Sequence, residues 1–225
     1  MAEIHEMKNF RDDRHVFRDR ADAGKMLAMM LQPEYPLPNG LMVLAIPSGG
    51  VPVGLMVSRS LNLPFDLVIA RKLKIPDNPE AGFGAMAQDG TTFLNDRLLA
   101  GLHLSEAQIE EEKKRVAGEL KKRNALFRHH RPFPSLAGKK VVLVDDGLAS
   151  GFTMQAAIDM VKKAGVSQIT VAVPTAPLRT VERISTEVDK IYCINIRTAP
   201  FFAVAEAYSH WHDLDEQEVT EMLEA

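Results

Sequence analysis

The sequence predicts an α/β fold built around a mostly parallel, doubly wound sheet. Strand-like apolar runs alternate with helical segments along the 225 residues, which is the pattern of βαβ units. The runs are continuously apolar, as expected for strands that are buried on both faces. Neither an internal repeat nor a long linker divides the chain, so we expect a single domain over residues 1–225.

The individual elements follow from the hydrophobic period and from the residues that start or stop helices and strands. We predict strands at 41–46, 66–70, 141–144, 169–173 and 190–194, and helices at 18–31, 51–61, 105–127, 153–163 and 178–187. The helix at 105–127 is long and heavily charged, with Ser105 and Gln108 as a capping box and a Glu111–Arg115 pair one turn apart.

Two further segments are predicted from local signals. Asp89-Gly90 between two β-favouring stretches predicts a hairpin at 83–94. Residues 1–16 show no clear period, and we expect them to be poorly ordered.

Composition and charge exclude several classes of protein. With 46% hydrophobic residues, a chain of this length can bury roughly 70–75% of its unfolded surface without disulfides. Cys193 is the only cysteine and we find no signal peptide, so we expect a reducing, cytoplasmic location. The formal net charge of −3 argues against a nucleic-acid partner, and no apolar run is long enough for a membrane span.

One segment places polar residues at the carboxyl end of a predicted strand, where open parallel sheets bind their ligands. Residues 141–153 have the sequence VVLVDDGLASGFT. Four apolar residues are followed by Asp145 and Asp146, and then by a loop of small residues that leads into a helix. The loop consists of Gly147, Leu148, Ala149, Ser150, Gly151, Phe152 and Thr153.

The chemistry of this segment indicates a sugar phosphate as its ligand. Backbone N–H groups and two hydroxyls at a helix N-terminus form a site for a phosphate dianion. The two acids repel phosphate, but they suit hydroxyl groups or a Mg²⁺ ion. A phosphate, a diol and a divalent cation within one turn describe a ribose 5-phosphate.

The segment resembles the phosphoribosyl-diphosphate signature of the type I phosphoribosyltransferases, which has four apolar residues, two acids and a small-residue loop closing on Ser/Thr-Gly-x-Thr. The resemblance extends over most of the chain and is greatest to a poorly characterised branch of the family. The other similar segments are FRDR at 17–20 with AG at 23–24, IPSGGVPVG at 46–54, RKL at 71–73, GFGA at 82–85 and the segment at 203–208. The resemblance also implies a hood-like tail at about 196–225.

Such a resemblance implies transfer of a phosphoribosyl group from phosphoribosyl diphosphate to a small nitrogenous acceptor, with release of diphosphate. The transition state is like an oxocarbenium ion, so catalysis needs positioning and charge stabilisation. Asp145 and Asp146 are the residues implied to hold the ribose hydroxyls, and the 147–153 loop is implied to bind the 5-phosphate. Mg²⁺ is the implied cofactor, bound through the diphosphate, with the two acids behind it and no direct protein ligand.

Two further groups of residues are implied for the diphosphate. Ser48, Gly49 and Gly50 resemble the family's diphosphate loop, where glycine lets the backbone approach the phosphates. An ordinary strand-to-helix turn is the alternative. Arg71 and Lys72 leave the neighbouring strand and can neutralise the leaving group. Solvated surface cations are the alternative there.

Three regions leave alternatives open or depart from the family pattern. Residues 77–95 match the position of the family's flexible loop, which closes over the reactants, and a static hairpin explains them equally well. Ala149 stands where enzymes of the hypoxanthine–guanine type carry a carboxylate that assists the base, which argues against those substrates. The aromatic residues of the tail can stack on a planar base or pack against the sheet: Phe201, Phe202, Tyr208 and Trp211.

The leading hypothesis is therefore an Mg²⁺-dependent phosphoribosyltransferase. The alternative is a regulatory protein that binds phosphoribosyl diphosphate or a nucleotide without turnover. Arg71, Lys72, the glycine turn and a candidate closing loop favour catalysis, because a sensor needs no site for a leaving group. A dinucleotide-binding Rossmann protein fits less well, since residues 46–50 lack the G-x-G-x-x-G fingerprint. By family analogy we expect a homodimer.

Overall fold

A six-stranded parallel sheet lies at the centre of the computed structural model, which describes residues 1–35, 40–76, 78–129 and 131–225. The strands are β1 (Glu3–Glu6), β2 (Leu41–Ala45), β3 (Phe65–Leu67), β4 (Ala70–Ile75), β5 (Asn78–Ala87), β6 (Thr92–Leu94), β7 (Lys140–Val144), β8 (Gln168–Pro177) and β9 (Lys190–Arg197). The parallel sheet has the order β1-β9-β8-β7-β2-β3. This confirms the predicted fold class.

Helices cover both faces of this sheet. The α-helices of the described residues are α1 (Arg20–Leu31), α2 (Gly50–Leu61), α3 (Asp96–Leu102), α4 (Glu106–Arg128), α5 (Phe152–Lys163), α6 (Leu178–Ile184) and α7 (Glu216–Glu224). α1 and α2 pack on one face, and α5 and α6 pack on the other. The Pro47–Ser48 peptide bond, between β2 and α2, is cis. In the described ranges, no helix has the length and hydrophobicity that crossing a membrane requires.

Burial on both faces explains why the central strands are continuously apolar. In β7, Val141 and Leu143 pack in the cluster that includes α5, whereas Val142 and Val144 pack in the cluster that includes α1. Each such side chain contributes about 1.5–3 kcal/mol when it is fully buried. A polar residue on either face would lose that contribution and its own hydration as well.

The chain leaves the parallel sheet after β3 and enters a separate antiparallel sheet of β4, β5 and β6. The prediction of one strand at 66–70 is therefore wrong, because that run is divided between β3 and β4. The Val68 N–H still donates to the Ala45 carbonyl at 3.0 Å, whereas Ala70 pairs with Ala87 of β5. An apolar run that passes from one sheet to the next stays apolar, so the sequence pattern does not reveal the division.

The predicted hairpin is confirmed in the antiparallel sheet. β5 and β6 are antiparallel, and the loop between them contains Asp89 and Gly90. The Asp89 carboxylate accepts a hydrogen bond from the Thr91 N–H at 2.9 Å, and Gly90 has a φ of +87°, which favours glycine.

The long charged helix is confirmed as α4, including its capping box. Ser105 Oγ accepts from the Gln108 N–H at 3.3 Å, and Gln108 Oε1 accepts from the Ser105 N–H at 2.9 Å. The apolar face of α4 packs over the antiparallel sheet.

The predicted pair of Glu111 and Arg115 is wrong. Arg115 instead binds Glu112, three residues before it, and Glu119, four residues after it. Both spacings place the carboxylate on the face of the helix that Arg115 occupies.

Residues 1–16 adopt defined secondary structure, contrary to the expectation of a poorly ordered segment. β1 pairs in parallel with β9, and Glu3 lies opposite Lys190. The His5 ring stacks on the Tyr192 ring with centroids 4.3 Å apart, and Lys8–Phe10 forms a short 3-10 helix. The edge of β9 offers unpaired N–H and C=O groups, so a four-residue segment without a detectable period can pair there.

The tail after β9 returns to the start of α1. A 3-10 helix (Val204–Ala207) precedes α7, and Phe17 pairs with the tail through two backbone hydrogen bonds. The Phe17 N–H donates to the Ala207 carbonyl at 2.9 Å, and the Ser209 N–H donates to the Phe17 carbonyl at 2.8 Å. The tail is therefore attached to the segment that precedes α1.

The close contact of α1 and α2 depends on Gly24. A Cβ at Gly24 would lie 2.7 Å from Met56 Cβ and 2.8 Å from the Val53 carbonyl oxygen. We expect Gly24→Val to lower the free energy of unfolding by about 1–3 kcal/mol, because the added atoms would force the two helices apart. Urea denaturation followed by circular dichroism measures this change.

Gly118→Val is the matched control. Gly118 lies on the exposed face of α4, and nothing lies within 4 Å of a Cβ built there. We expect its effect to stay within about 0.5 kcal/mol. An equal loss at the two positions would contradict the explanation from close packing.

Candidate active site

The loops that follow β2 and β7 meet at the carboxyl edge of the sheet, because these strands are neighbours. Gly49 lies so close to the acidic pair that a Cβ there would fall 1.9 Å from Asp146 Oδ2. At Gly50 a Cβ would lie 2.7 Å from the Val144 carbonyl oxygen and 3.0 Å from Asp145 Cα. The structure therefore brings the glycine turn and the two acids together, and this contact leaves no room for a side chain at either glycine.

The two acids differ in their partners. Asp146 Oδ2 accepts from Arg20 Nε at 2.8 Å, and these side chains are only 13% and 9% exposed. Asp145 Oδ1 accepts from the Asp146 N–H at 2.9 Å. Burial raises the pKa of Asp145, and the charge of Asp146 raises it further. Burial also raises the pKa of Asp146, but Arg20 opposes that rise. Arg20 thus favours the ionised form of the second acid.

The C-terminal tail holds Arg20 in place. The Arg20 guanidinium lies 3.8 Å from the Trp211 ring centroid, and its Nη1 donates to the His212 carbonyl at 2.9 Å. The Tyr208 hydroxyl donates to the Asp146 carbonyl at 2.6 Å. The tail therefore contacts the loop that carries Asp145 and Asp146 both directly, through Tyr208, and indirectly, through Arg20.

The aromatic residues of the tail have different environments. Tyr208 is buried against Phe17, with ring centroids 5.5 Å apart, and Trp211 packs on Tyr208 at 5.1 Å. These two residues pack against the protein, as one of the two alternatives predicted. Phe201 is 87% exposed, and Phe202 lines a cleft beside the signature loop.

The 147–153 loop presents open backbone donors at the start of α5. The Leu148 N–H donates to the Thr175 carbonyl at 3.0 Å, which attaches the loop to β8. Gly151 has a φ of +70°, and α5 begins at Phe152. Within the part of the chain that the structure describes, the N–H groups of residues 149–153 donate to no protein acceptor. Such a row of donors at a helix N-terminus suits an anion.

The carbonyl groups of the same loop are bound by α6. Thr180 Oγ1 donates to the Ala149 carbonyl at 2.8 Å, and Arg183 donates to the Ser150 carbonyl. A cleft of about 430 Å³ lies between the loop and α6, lined by Ala149, Ser150, Phe152, Arg179, Thr180, Arg183 and Phe202. The carbonyls of Ala149 and Ser150 therefore already have donors from α6, whereas the N–H groups of residues 149–153 have no acceptor among the described residues.

Arg71 and Lys72 point to opposite faces of β4, as neighbouring residues of a strand must. The charge of Arg71 lowers the pKa of Arg123 of α4, whose Nη2 donates to the Ser48 hydroxyl at 2.8 Å. Arg71 Nε is also 3.5 Å from Glu119 Oε2. Lys72 is exposed and, among the described residues, forms no ion pair with either acid. Arg71 therefore lies on the face of β4 that α4 covers. Lys72 lies on the other face, where it pairs with Ala85, and Ala85 pairs with Phe93, whose ring packs on Phe152 at the start of α5.

Residues 78–95 comprise β5, β6 and the turn between them. The Phe93 ring packs against the Phe152 ring with centroids 5.6 Å apart, so the antiparallel sheet lies against the first turn of α5. The conformation is that of a hairpin, and closure of this segment over a ligand stays a prediction. Asp77, where the predicted loop starts, lies outside the described residues.

Two arginines of the site were not assigned a role from sequence. The sequence pattern does indicate that Arg123 is unusual. Its spacing places it on the apolar face of α4 with Val116, Leu120 and Phe127, where a cation is unexpected. No such pattern marks Arg20 beyond its place in the FRDR segment, since its partner is 126 residues away.

Removal of Arg20 tests how strongly the buried ion pair stabilises the protein. We expect Arg20→Met to lower the free energy of unfolding at pH 7 by about 3–5 kcal/mol, because Asp146 stays buried without its counter-charge. The Arg20→Met/Asp146→Asn double variant should recover much of this loss, since it removes the unpaired charge as well. Chemical denaturation of the single and double variants measures both effects.

The decrease in the free energy of unfolding of Arg20→Met should also depend on pH. Without Arg20, the pKa of Asp146 in the folded state rises further above its unfolded value, because the charge and hydrogen bond of Arg20 no longer oppose the effect of burial. Between the unfolded and the folded pKa of Asp146, the folded variant binds more protons than the unfolded chain. The stability of the variant therefore falls as the pH rises through this range. We therefore expect a smaller loss at pH 5 than at pH 7. Equal losses at the two pH values would contradict an origin in the charge of Asp146.

The sequence is similar to known proteins over most of its length. A sequence model described as the phosphoribosyl transferase domain matches residues 38–210. A Mycobacterium tuberculosis protein named "Putative phosphoribosyl transferase Rv0571c" is 36% identical over 209 residues, which are 93% of this chain and 46% of that protein. The chain thus spans about half the length of this curated relative.

Two solved structures share the fold. The TT1426 protein from Thermus thermophilus matches with a TM-score of 0.75 and 34% identity, over 92% of this chain and 97% of that one. The AQ2163 protein from Aquifex aeolicus matches with a TM-score of 0.51 and 13% identity, over 84% and 78%, and is similar in fold alone. Because the domain model matches residues 38–210, most of the sequence, this chain belongs to the phosphoribosyl transferase domain family.

Proposed function

We propose that the protein transfers the 5-phosphoribosyl group of phosphoribosyl diphosphate to a nitrogenous acceptor and releases diphosphate. Family membership indicates phosphoribosyl transfer in general. The observation that carries the proposal is the row of open N–H groups at 149–153 beside the buried acids and the glycine turn. The N–H groups match a phosphate, the acids match a sugar diol, and the glycine turn matches a diphosphate.

In this proposal the 147–153 loop anchors the 5-phosphate. The open N–H groups at the start of α5 donate to the phosphate oxygens, and the hydroxyls of Ser150 and Thr153 add further donors. The phosphate is remote from the reacting carbon, so its binding energy serves to position that carbon.

The two acids act on the ribose. Asp145 forms no ion pair among the described residues, and its carboxylate is the one left to accept hydrogen bonds from the ribose hydroxyls. Arg20 favours the ionised form of Asp146, whose charge stabilises the cationic ring of the transition state. Both acids are largely removed from water, which strengthens these interactions.

The proposed reaction exchanges one bond at the anomeric carbon for another. The bond from this carbon to the diphosphate oxygen breaks, and its electron pair leaves with the diphosphate. The lone pair of the acceptor nitrogen forms the new bond. Ala149 cannot take the proton of the acceptor, so we propose an acceptor other than hypoxanthine or guanine.

The diphosphate is proposed to lie at the Ser48–Gly49–Gly50 turn, where glycine permits a close backbone approach. Arg71 adds positive charge from β4 on the side of α4. Lys72 stays a prediction, since it lies on the other face of that strand.

The residues present fit Mg²⁺ when the substrate supplies most of its ligands. In the described ranges no three His, Cys, Asp or Glu side chains form a metal cluster. One or two carboxylates are sufficient for Mg²⁺ when water and substrate phosphates complete its shell. We propose that Asp145 and Asp146 would hold Mg²⁺ indirectly, together with the diphosphate, and that the ion would supply charge neutralisation for the leaving group.

Two further properties belong to this proposal. The antiparallel sheet at 78–95 is proposed to cover the reactants and exclude water, which would otherwise hydrolyse the activated sugar.

A homodimer is proposed by family analogy, and light scattering coupled to size-exclusion chromatography tests it.

Release of diphosphate tests the proposed function directly. The protein is incubated with phosphoribosyl diphosphate, Mg²⁺ and a panel of nitrogenous bases and amines, and diphosphate is measured enzymatically. We expect release that depends on one class of acceptor. Tight binding of phosphoribosyl diphosphate without release for any acceptor would instead favour a regulatory binding protein.

Asp146→Asn tests the role of the acidic pair. We expect about a 10- to 150-fold decrease in kcat/KM, because one charged partner of the ribose site is lost. Asp213→Asn, at an exposed position of the tail, is the matched control and should behave as the wild type. Wild-type activity in Asp146→Asn would contradict a role of the acidic pair in the reaction.

A further inference from the structure

Arg123 places a positive charge on the apolar face of α4. Val116, Leu120 and Phe127 on that face are buried. The Arg123 guanidinium lies 4.9 Å from the Phe127 ring centroid, and its side chain is only 8% exposed. A guanidinium buried in this way is unfavourable unless acceptors and counter-charges surround it.

The protein itself satisfies this guanidinium only in part. Nη2 donates to the Ser48 hydroxyl at 2.8 Å, and Nη1 lies 3.7 Å from Oε1 of Glu216, whose side chain is 54% exposed. Nε is buried and has no hydrogen-bond partner among the described residues. A guanidinium carries five N–H donors, so a neutral hydroxyl and one distant, solvated carboxylate leave most of its capacity unused.

A second arginine adds positive charge at the same place. Burial lowers the pKa of Arg123, and the charge of Arg71 lowers it further, so the two guanidinium groups are close enough to repel each other. Glu119 is 3.5 Å from Arg71, but it also binds Arg115. Arg123 at the glycine turn and the nearby Arg71 are therefore two cations without a full set of counter-charges.

We propose that Arg123 is a ligand of the diphosphate group at the Ser48–Gly50 turn and acts there together with Arg71. This inference rests on the proposed function and adds a residue of α4, outside the signature and the turn, to the catalytic residues. Diphosphate oxygens accept from a guanidinium in the planar, two-bond geometry that Arg123 can offer. Their negative charge also removes the repulsion between the two arginines.

The role in the reaction follows from where the charge moves. When the bond from the anomeric carbon to the diphosphate breaks, its electron pair moves onto the diphosphate oxygen. A guanidinium already in place stabilises that added charge without reorganisation. The hydrogen bond to Ser48 fixes the guanidinium at the turn before the substrate arrives.

Calorimetric titration with two separate ligands tests this inference. The full chain is titrated in Mg²⁺ with inorganic diphosphate and, in a second experiment, with ribose 5-phosphate. We expect Arg123→Gln to raise the Kd for diphosphate by about 10- to 150-fold, as the loss of charge-assisted hydrogen bonds predicts. The Kd for ribose 5-phosphate should change by less than about 2-fold. Lys122→Gln removes a charge from the exposed face of α4 and should alter neither value.

Arg123→Lys keeps the charge and serves if Arg123→Gln does not fold. We expect an intermediate rise in the Kd for diphosphate, because an ammonium group cannot form two parallel hydrogen bonds. Wild-type affinity for diphosphate in this variant, or equal losses for both ligands, would overturn the inference and leave Arg123 as a structural link between α4 and the turn. A wild-type protein that binds neither ligand would overturn the proposed function as well.

Discussion

The buried ion pair between Arg20 and Asp146 connects parts of the chain that are otherwise unrelated. Arg20 begins α1, Asp146 follows β7, and Trp211 and His212 belong to the tail. An ion pair at low dielectric stabilises a protein only when further groups satisfy both partners. Here the ring of Trp211 and the His212 carbonyl satisfy the guanidinium. The position of the acid therefore depends on how the helix, the loop and the tail pack.

Steric constraint adds to this electrostatic one. The turn after β2 approaches the acids so closely that neither Gly49 nor Gly50 has room for a side chain. The two loops that bear the candidate binding residues are thus in contact with each other without a bound substrate. A site that is fixed in this way loses little conformational entropy on binding, which favours both affinity and catalysis.

The sequence allowed the prediction of features that depend on neighbouring residues. The central strands, the hairpin and the capping box of α4 follow from local pattern, and so does the 141–153 segment. The division of the run at 66–70, the pairing of β1 and the partners of Arg20 and Arg123 do not. Arg20 and Asp146 are 126 residues apart, and Arg123 and Ser48 are 75 apart. Contacts at such separations arise from the packing of whole elements, which no local window contains.

The pairing of β1 with β9 has a consequence for biosynthesis. The paired residues of the two strands are 187 positions apart, since Glu3 lies opposite Lys190 (190 − 3 = 187). During translation β1 therefore leaves the ribosome long before its partner exists, and it must avoid other partners meanwhile. Its sequence is EIHE, with two carboxylates and a single aliphatic side chain, which is a poor template for aggregation. Once docked, the same charged strand pairs with the N–H and C=O groups at the edge of β9 and shields them from other molecules.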